Sequence, residues 1–188
     1  MAVDQIRTAT ADDRDAVVAT VVAAFEHDPA FRWFFPDDAT YAAEATAFAG
    51  HLFDRRVGLG SVWIAGDAHA TTLWVPPVDP STTPPSTPLV GVSPEAVARL
   101  DRYDGAVHPV LPPQPHWYLG IVATHPDHAG RALGRRLIEV GRARAGSDGV
   151  RSVLETTNPA NVALYERAGW SVLAEVPDAP LRTWVLVA

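Results

Sequence analysis

The sequence predicts a mixed α/β (α+β) fold, with a central sheet of about six to seven strands flanked by about four to five helices. Three observations carry that expectation. A strand, a helix and a second strand follow one another over residues 116–156, and a unit of that size implies a parallel pair joined by a right-handed crossover. Two strand-like runs, 61–65 and 71–76, flank Gly66-Asp67, a turn signal, and so read as a hairpin. Two further strand-like runs, 170–176 and 181–187, close the chain.

The remaining elements follow in order. Residues 5–10 read as a short strand, and Thr10 and Asp12 offer N-caps for a helix over 13–26. Asp28-Pro29 ends that helix, because proline disfavours helix at the residue before it. An aromatic cluster, Phe31, Trp33, Phe34 and Phe35, comes next, before Pro36. Tyr41, Ala45, Phe48 and Leu52 recur at helical spacing and predict a second helix over 39–57. Residues 78–94 are rich in proline and threonine and read as a loop. A short helix capped by Ser93 spans 94–103, and 108–115 is again broken by prolines. Residues 77–115 are therefore expected to be a variable surface insertion within one domain covering 1–188. Residues 116–124 form a buried strand, and 130–145 a helix with Leu133, Leu137, Ile138 and Val140 on its apolar side. Residues 150–156 form a strand, and 161–168 a short helix ended by Gly169 as a C-cap.

Composition bounds the function. A chain of 188 residues that is 47% hydrophobic and 20% charged reads as one soluble globular domain. It has no cysteine, which excludes disulfides, thiolate metal sites and a cysteine nucleophile. A formal net charge of -7 disfavours nucleic acid and anionic membranes and weakly attracts a cationic substrate. The opening residues lack a basic start followed by an apolar block, and the early apolar run 16–25 is too short to span a bilayer. The expected location is the cytoplasm.

Three segments carry chemistry. Ala129-Gly130-Arg131-Ala132-Leu133-Gly134 joins a strand to a helix through small residues. Amides at a helix start point outward, and the helix dipole adds positive potential, so this junction can seat a pyrophosphate. Arg131, Arg135 and Arg136 add charge at its rim; a tight turn with solvated arginines is the plainer alternative. A dinucleotide-binding crossover fits less well, since its glycine fingerprint belongs early in a chain of alternating strands and helices. Glu155 lies near the carboxyl end of a parallel strand, where a carboxylate is costly unless partnered or set in a cleft. Asn161 and Tyr165 are four apart and share one helix face. A phenol beside a phosphate loop can protonate a leaving group, although a tyrosine at such a position, taken alone, is more often a core residue with a bonded hydroxyl. His125 and His128 lie in a loop without a helical ligand pattern and read as surface residues, so no metal is expected. No Gly-x-Ser-x-Gly elbow supports a serine hydrolase.

Taken together, Thr124-x-Pro126-x-x-Ala129-Gly130-Arg131-Ala132-Leu133-Gly134 and Asn161-x-x-x-Tyr165-Glu166-Arg167-x-Gly169-Trp170 resemble the GNAT acetyltransferase superfamily. Within it the chain is similar to the puromycin N-acetyltransferases, through His116-Trp117-Tyr118-Leu119, Leu154-Glu155-Thr156 and Arg182-Thr183-Trp184, most weakly over 78–115. It departs from the family pattern at Ala129, at Ala132 in place of a glycine, and at Thr124.

The resemblance implies a GNAT fold in which strand 116–124 splays from strand 150–156. It implies acetyl-CoA as acyl donor, with pantetheine along Val122, Ala123 and Thr124. The diphosphate would sit on Ala129, Gly130, Arg131, Ala132, Leu133, Gly134 and Arg135, with Asn161 nearby. A strand amide at Val122 or Ala123 would stabilise charge on the carbonyl oxygen. Tyr165, as an unperturbed phenol, is the expected acid, and Glu155 the expected base, with Glu26 and Asp28 as alternates. Glu26, Asp28, Phe31, Trp33 and Phe34 would line the acceptor site; simple packing of helix to sheet explains the aromatics equally well. The expected acceptor is a small-molecule amine, an aminonucleoside-type antibiotic among the candidates. A protein N-terminus or lysine is the rival acceptor, and a non-catalytic acetyl-CoA-binding module the rival function. The expected assembly is a monomer or homodimer.

Overall fold

A computed structural model describes residues 4–77, 87–177 and 179–188. Its sheet has seven strands in the order β1 (Ile6–Thr8), β2 (Val62–Ala65), β3 (Ala70–Val75), β4 (His116–Thr124), β5 (Arg151–Thr156), β7 (Trp184–Val187) and β6 (Ser171–Glu175). Only β4 and β5 run parallel; the other neighbours are antiparallel. The expected hairpin is β2–β3, its turn occupying the four residues between Ala65 and Ala70.

Thr10 and Asp13 form a reciprocal capping box at the start of the first helical segment, which becomes α1 (Arg14–Ala24). The structure then departs from expectation. Pro29 does not merely follow a helix; it opens a new one, α2 (Pro29–Phe34). The Asp28 carboxylate accepts from Ala30 N at 2.9 Å and Phe31 N at 3.1 Å. Proline at the first helical position has no amide to waste there, so one dipeptide serves as stop and start. Among the described residues this short helix brings the count to six α-helices, against the four to five expected. The others are α3 (Asp38–Val57), α4 (Pro94–Val107), α5 (Leu133–Ser147) and α6 (Pro159–Arg167).

Helices cover both faces of the sheet. On one face α1 to α4 enclose Val17, Val21, Phe53, Ile64, Leu73, Ile121 and Val153. On the other, α5 and α6 cover Trp74, Trp117, Leu119, Leu137, Leu154 and Leu186. Each fully buried aliphatic side chain of this kind contributes about 1.5–3 kcal/mol. Helix α5 lies unusually close to the sheet. A Cβ added to Gly141 would fall 2.3 Å from Trp74 Cε2, so glycine is what permits the approach.

The expectation that 77–115 is a surface insertion fails for α4. Ala96, Leu100, Tyr103 and Val107 are buried in the α1–α4 core, so this amphipathic helix is part of the domain's packing. Ser93 caps it as expected, accepting from Ala96 N at 3.3 Å. Residues 78–86 of the expected loop lie outside the described residues.

Candidate active site

The loop before α5 is built from backbone. Gly130 and Ala132 both adopt left-handed conformations, with φ of 76° and 55°. Helix α5 therefore begins at Leu133, not at Gly130 as the spacing predicts. The first backbone acceptor of its ladder is the N-cap oxygen, Ala132 O, which takes Arg136 N at 3.1 Å. Among the described residues, the amides from Gly130 to Arg135 are left with no protein acceptor. They line an exposed loop at a helix N-terminus, the arrangement that binds phosphate oxygens. Gly134 brings that end against β4, since a Cβ there would lie 3.2 Å from Val122 Cγ1 and 3.3 Å from Thr124 Oγ1. Ala132, which stands where the family pattern has a glycine, takes a positive φ, and a Cβ in that conformation costs about 1–2 kcal/mol.

The Arg131 guanidinium binds the Asp4 carboxylate and His128 Nδ1, with its side chain still partly exposed at the loop. Arg136 also turns to Asp4, at the carbonyl oxygen, 3.2 Å away. His125 and His128 lie half-buried at the surface, and the His128 ring stacks on His69 with centroids 3.7 Å apart. Among the described residues, no group of three or more His, Cys, Asp or Glu could hold a metal ion, and no helix is long and apolar enough to cross a membrane.

Beside this loop the sheet opens. β4 and β5 pair from His116–Arg151 to Leu119–Leu154 and no further, although β4 continues to Thr124 and β5 to Thr156. The divergence follows an irregularity. Leu73 pairs with Ile121 and Trp74 with Leu119, so Gly120 is an extra residue on β4. A bulge bends its strand and sharpens the local twist. Past the bulge, Val122, Ala123 and Thr124 still pair with β3 but face no β5 partner.

Glu155 stands just beyond the last rung, on the α1–α4 side of the opening. Tyr118 donates its hydroxyl to Glu155 Oε2. Burial is the largest influence on Glu155 and pushes its carboxyl up to about 7. The Tyr118 hydrogen bond and the Arg56 cation oppose the rise, and the nearby Asp104 charge adds to it. Tyr118 is itself pushed up by burial and then by the Glu155 charge, so it remains a donor. Arg56, near the end of α3, gives Nη1 to Leu52 O at 2.8 Å. Burial lowers its pKa to about 10, against the pull of Tyr118 and Glu155, and it stays cationic at neutral pH. A carboxyl poised near neutrality beside a cleft can exchange protons at physiological pH.

Tyr165 lies on α6, whose N-terminus is capped by Asn158 accepting from Ala160 N at 3.0 Å. Asn161 Nδ2 reaches Thr156 Oγ1 at 3.5 Å and ties this helix to the end of β5. The Tyr165 ring packs on Trp170 at 5.9 Å between centroids. Its phenol is not unperturbed as expected: burial, assisted by the Glu155 charge, pushes it up to about 12.

The expected acceptor-site residues fare less well. Phe31 and Phe34 are 2% and 5% exposed and pack among Phe25, Phe35, Phe48 and Tyr103, so they hold α2 on the core instead of lining a pocket. Asp28 is engaged as the α2 cap, and Glu26 is exposed in the turn after α1. Trp33 alone of this group is an aromatic with accessible surface. Sequence reasoning missed Tyr118 and Arg56 as site residues. A glycine inside an apolar strand signals a bulge, and a phenol in a buried strand needs a partner; both signals were present at Gly120 and Tyr118.

Residues 94–170 match the family model described as Acetyltransferase (GNAT) family. Solved structures share the fold over nearly the whole chain. A histone acetyltransferase and related acetyltransferase from Corynebacterium glutamicum is 24% identical with a TM-score of 0.71, covering 98% of this chain and 95% of that one. Arylalkylamine N-acetyltransferase 2 from Aedes aegypti is 11% identical at a TM-score of 0.74, covering 98% and 97%. A polyamine N-acetyltransferase from Drosophila melanogaster, which forms N-acetylagmatine, is 14% identical at 0.62, covering 98% of each chain.

Proposed function

We propose that this chain, an acyltransferase of the GNAT acetyltransferase family, moves an acetyl group from acetyl-CoA to the amine of a small molecule. One observation carries the reading: the unengaged amides from Gly130 to Arg135 stand beside the gap between β4 and β5. They suit a diphosphate, and the exposed β4 edge at Val122 to Thr124 suits the amide groups of pantetheine. Acetyl-CoA supplies the thioester carbonyl that the amine attacks.

The residues divide the remaining work. Glu155, ionising near neutrality, takes the proton that the amine must lose. A β4 amide at Val122 or Ala123 hydrogen-bonds the carbonyl oxygen as charge develops there. Tyr165 donates a hydrogen bond to the departing sulfur. Its phenol at about 12 holds its proton more tightly than an ordinary thiol of about 8.5, so complete transfer would run uphill. Hydrogen bonding stabilises the thiolate, and solvent supplies the proton.

The base stands part-buried, bonded to Tyr118, which favours a slender amine entering the cleft over a flat protein surface. An aminonucleoside is one candidate acceptor, suggested by the sequence resemblance alone. The test is calorimetric titration with acetyl-CoA, followed by thiol release over amino-nucleosides, aminoglycosides, polyamines and peptides. Saturable binding and turnover of a small amine are expected. No binding at roughly millimolar acetyl-CoA, far weaker than ordinary cosubstrate affinities, would end the enzymatic reading. Binding without turnover of any amine would leave an acetyl-CoA-binding module.

A further inference from the structure

A general base on a strand end needs more than a suitable pKa. One carboxylate oxygen must be free for the proton, and the group must not swing. The register of β4 and β5 supplies the means. Tyr118 pairs with Val153, one rung before the final pair Leu119–Leu154, so its backbone is fixed where the strands still bond. Val153 faces the α1–α4 core and Leu154 the opposite one. Alternation therefore puts Glu155 on the same face as Val153, and Tyr118 packs against that core as well. The phenol thus reaches from the last bonded part of the sheet to a carboxylate standing at the gap, and donates to Oε2.

Resting on the assignment of Glu155 as base, we propose that Tyr118 is its positioning residue: it clamps Oε2 and leaves Oε1 to take the proton of the acceptor amine. The Glu155 backbone amide also favours the carboxylate, and the other side chains act on Glu155 through space. Arg56 on α3 favours the carboxylate and Asp104 on α4 opposes it; Tyr103 on α4 and Tyr165 on α6 lie within its field. Among the described residues, Tyr118 is the side chain that bonds Glu155 directly. A Cβ at Gly120 would make only ordinary contacts, 3.6 Å from Tyr118 Cε1 and 3.7 Å from Arg56 Nη2.

The experiment is an infrared titration of the Glu155 carboxyl band, assigned by its disappearance in Glu155→Gln. Removing a hydrogen bond to a charged group shifts the protonation midpoint by about one to two pH units, so Tyr118→Phe should titrate higher by that amount. Replacing Tyr118 by a ring-fluorinated tyrosine, a stronger donor of the same shape, should titrate lower. That variant carries the test if the phenylalanine variant fails to fold. The acid limb of kcat/KM should follow. Tyr118→Phe should lose about tenfold more rate at pH 6 than at pH 9, with KM for acetyl-CoA unchanged. An unmoved midpoint, or a rate loss equal at every pH, would overturn the inference and make Tyr118 a packing residue. The parent reading fails separately: wild-type turnover in Glu155→Gln would remove the base itself, whereas an inactive Glu155→Gln with an unmoved Tyr118→Phe midpoint would remove only the clamp.

Discussion

Replacing Glu155 by glutamine should stabilise the folded protein at pH 8 and change it little at pH 5. In the fold this carboxyl titrates at about 7, against an ordinary 4.5, chiefly because burial disfavours its charge. The native state therefore holds this proton more tightly than the unfolded chain does. Its contribution to stability is complete below about 4.5 and is lost as pH rises through about 7. A rise of that size corresponds to about 3 kcal/mol at full burial, and partial access to solvent from the cleft reduces it to about 2 kcal/mol. Glutamine has the same shape, can still accept from Tyr118, and carries no charge to desolvate. For a chain of this length about 2 kcal/mol moves the melting temperature by about 4–8 °C. Thermal melts of both proteins across pH 5 to 8 read the effect directly. The curves should diverge as pH rises, with the variant on top. Melting temperatures that run parallel over the whole range would refute a buried, neutral-titrating Glu155.

Three further outcomes follow from other sites. Tyr165→Phe should lower kcat about tenfold to a hundredfold, the size of a lost hydrogen bond to a charged group, while calorimetric affinity for acetyl-CoA stays put; unchanged kcat would clear Tyr165 of any role. Ala132→Gly relieves a left-handed alanine at φ 55°, partly offset by the greater freedom of glycine when unfolded, and should gain about 0.5–1 kcal/mol in a denaturant titration. A loss would show that the alanine side chain stabilises the loop. Gly141→Ala would place a methyl 2.3 Å from the buried Trp74 ring, and should cost about 1–3 kcal/mol; a neutral result would mean that α5 can lift off the sheet.

Much of the fold was legible because it rests on local patterns. Helix α3 begins within a residue of its expected start, since Asp37 caps it and its apolar residues keep a helical period. The strand β4 matches its expected bounds. What failed depended on features that spacing does not encode. The handedness of Gly130 and Ala132, not their smallness, sets the start of α5. Asp28-Pro29 reads equally as a helix end and a helix start, and only the bonds to Ala30 and Phe31 decide. The loop amides could be read from sequence because they require only backbone and a helix start. The Tyr118–Glu155 contact could not, because it depends on the register of a parallel pair separated by a whole crossover helix, and one residue of slip would turn either side chain to the opposite face. The aromatics Phe31 and Phe34 illustrate the reverse error. Their clustering was visible, but whether a cluster faces a cavity or its own core is settled by packing alone.

The parting of β4 from β5 also decides what kind of chain can add to the sheet there. A strand with open hydrogen-bonding groups is ordinarily a hazard at the rim of a sheet, where any passing extended chain can add to it. Here the bare stretch lies in the interior, with a strand on either hand and helices above and below. A folded neighbour cannot bring its own rim into that slot. Whatever occupies it must be a single thread wide and enter from the end where the slot opens, so this stretch of β4 is templated for addition yet closed to the edge of another folded sheet.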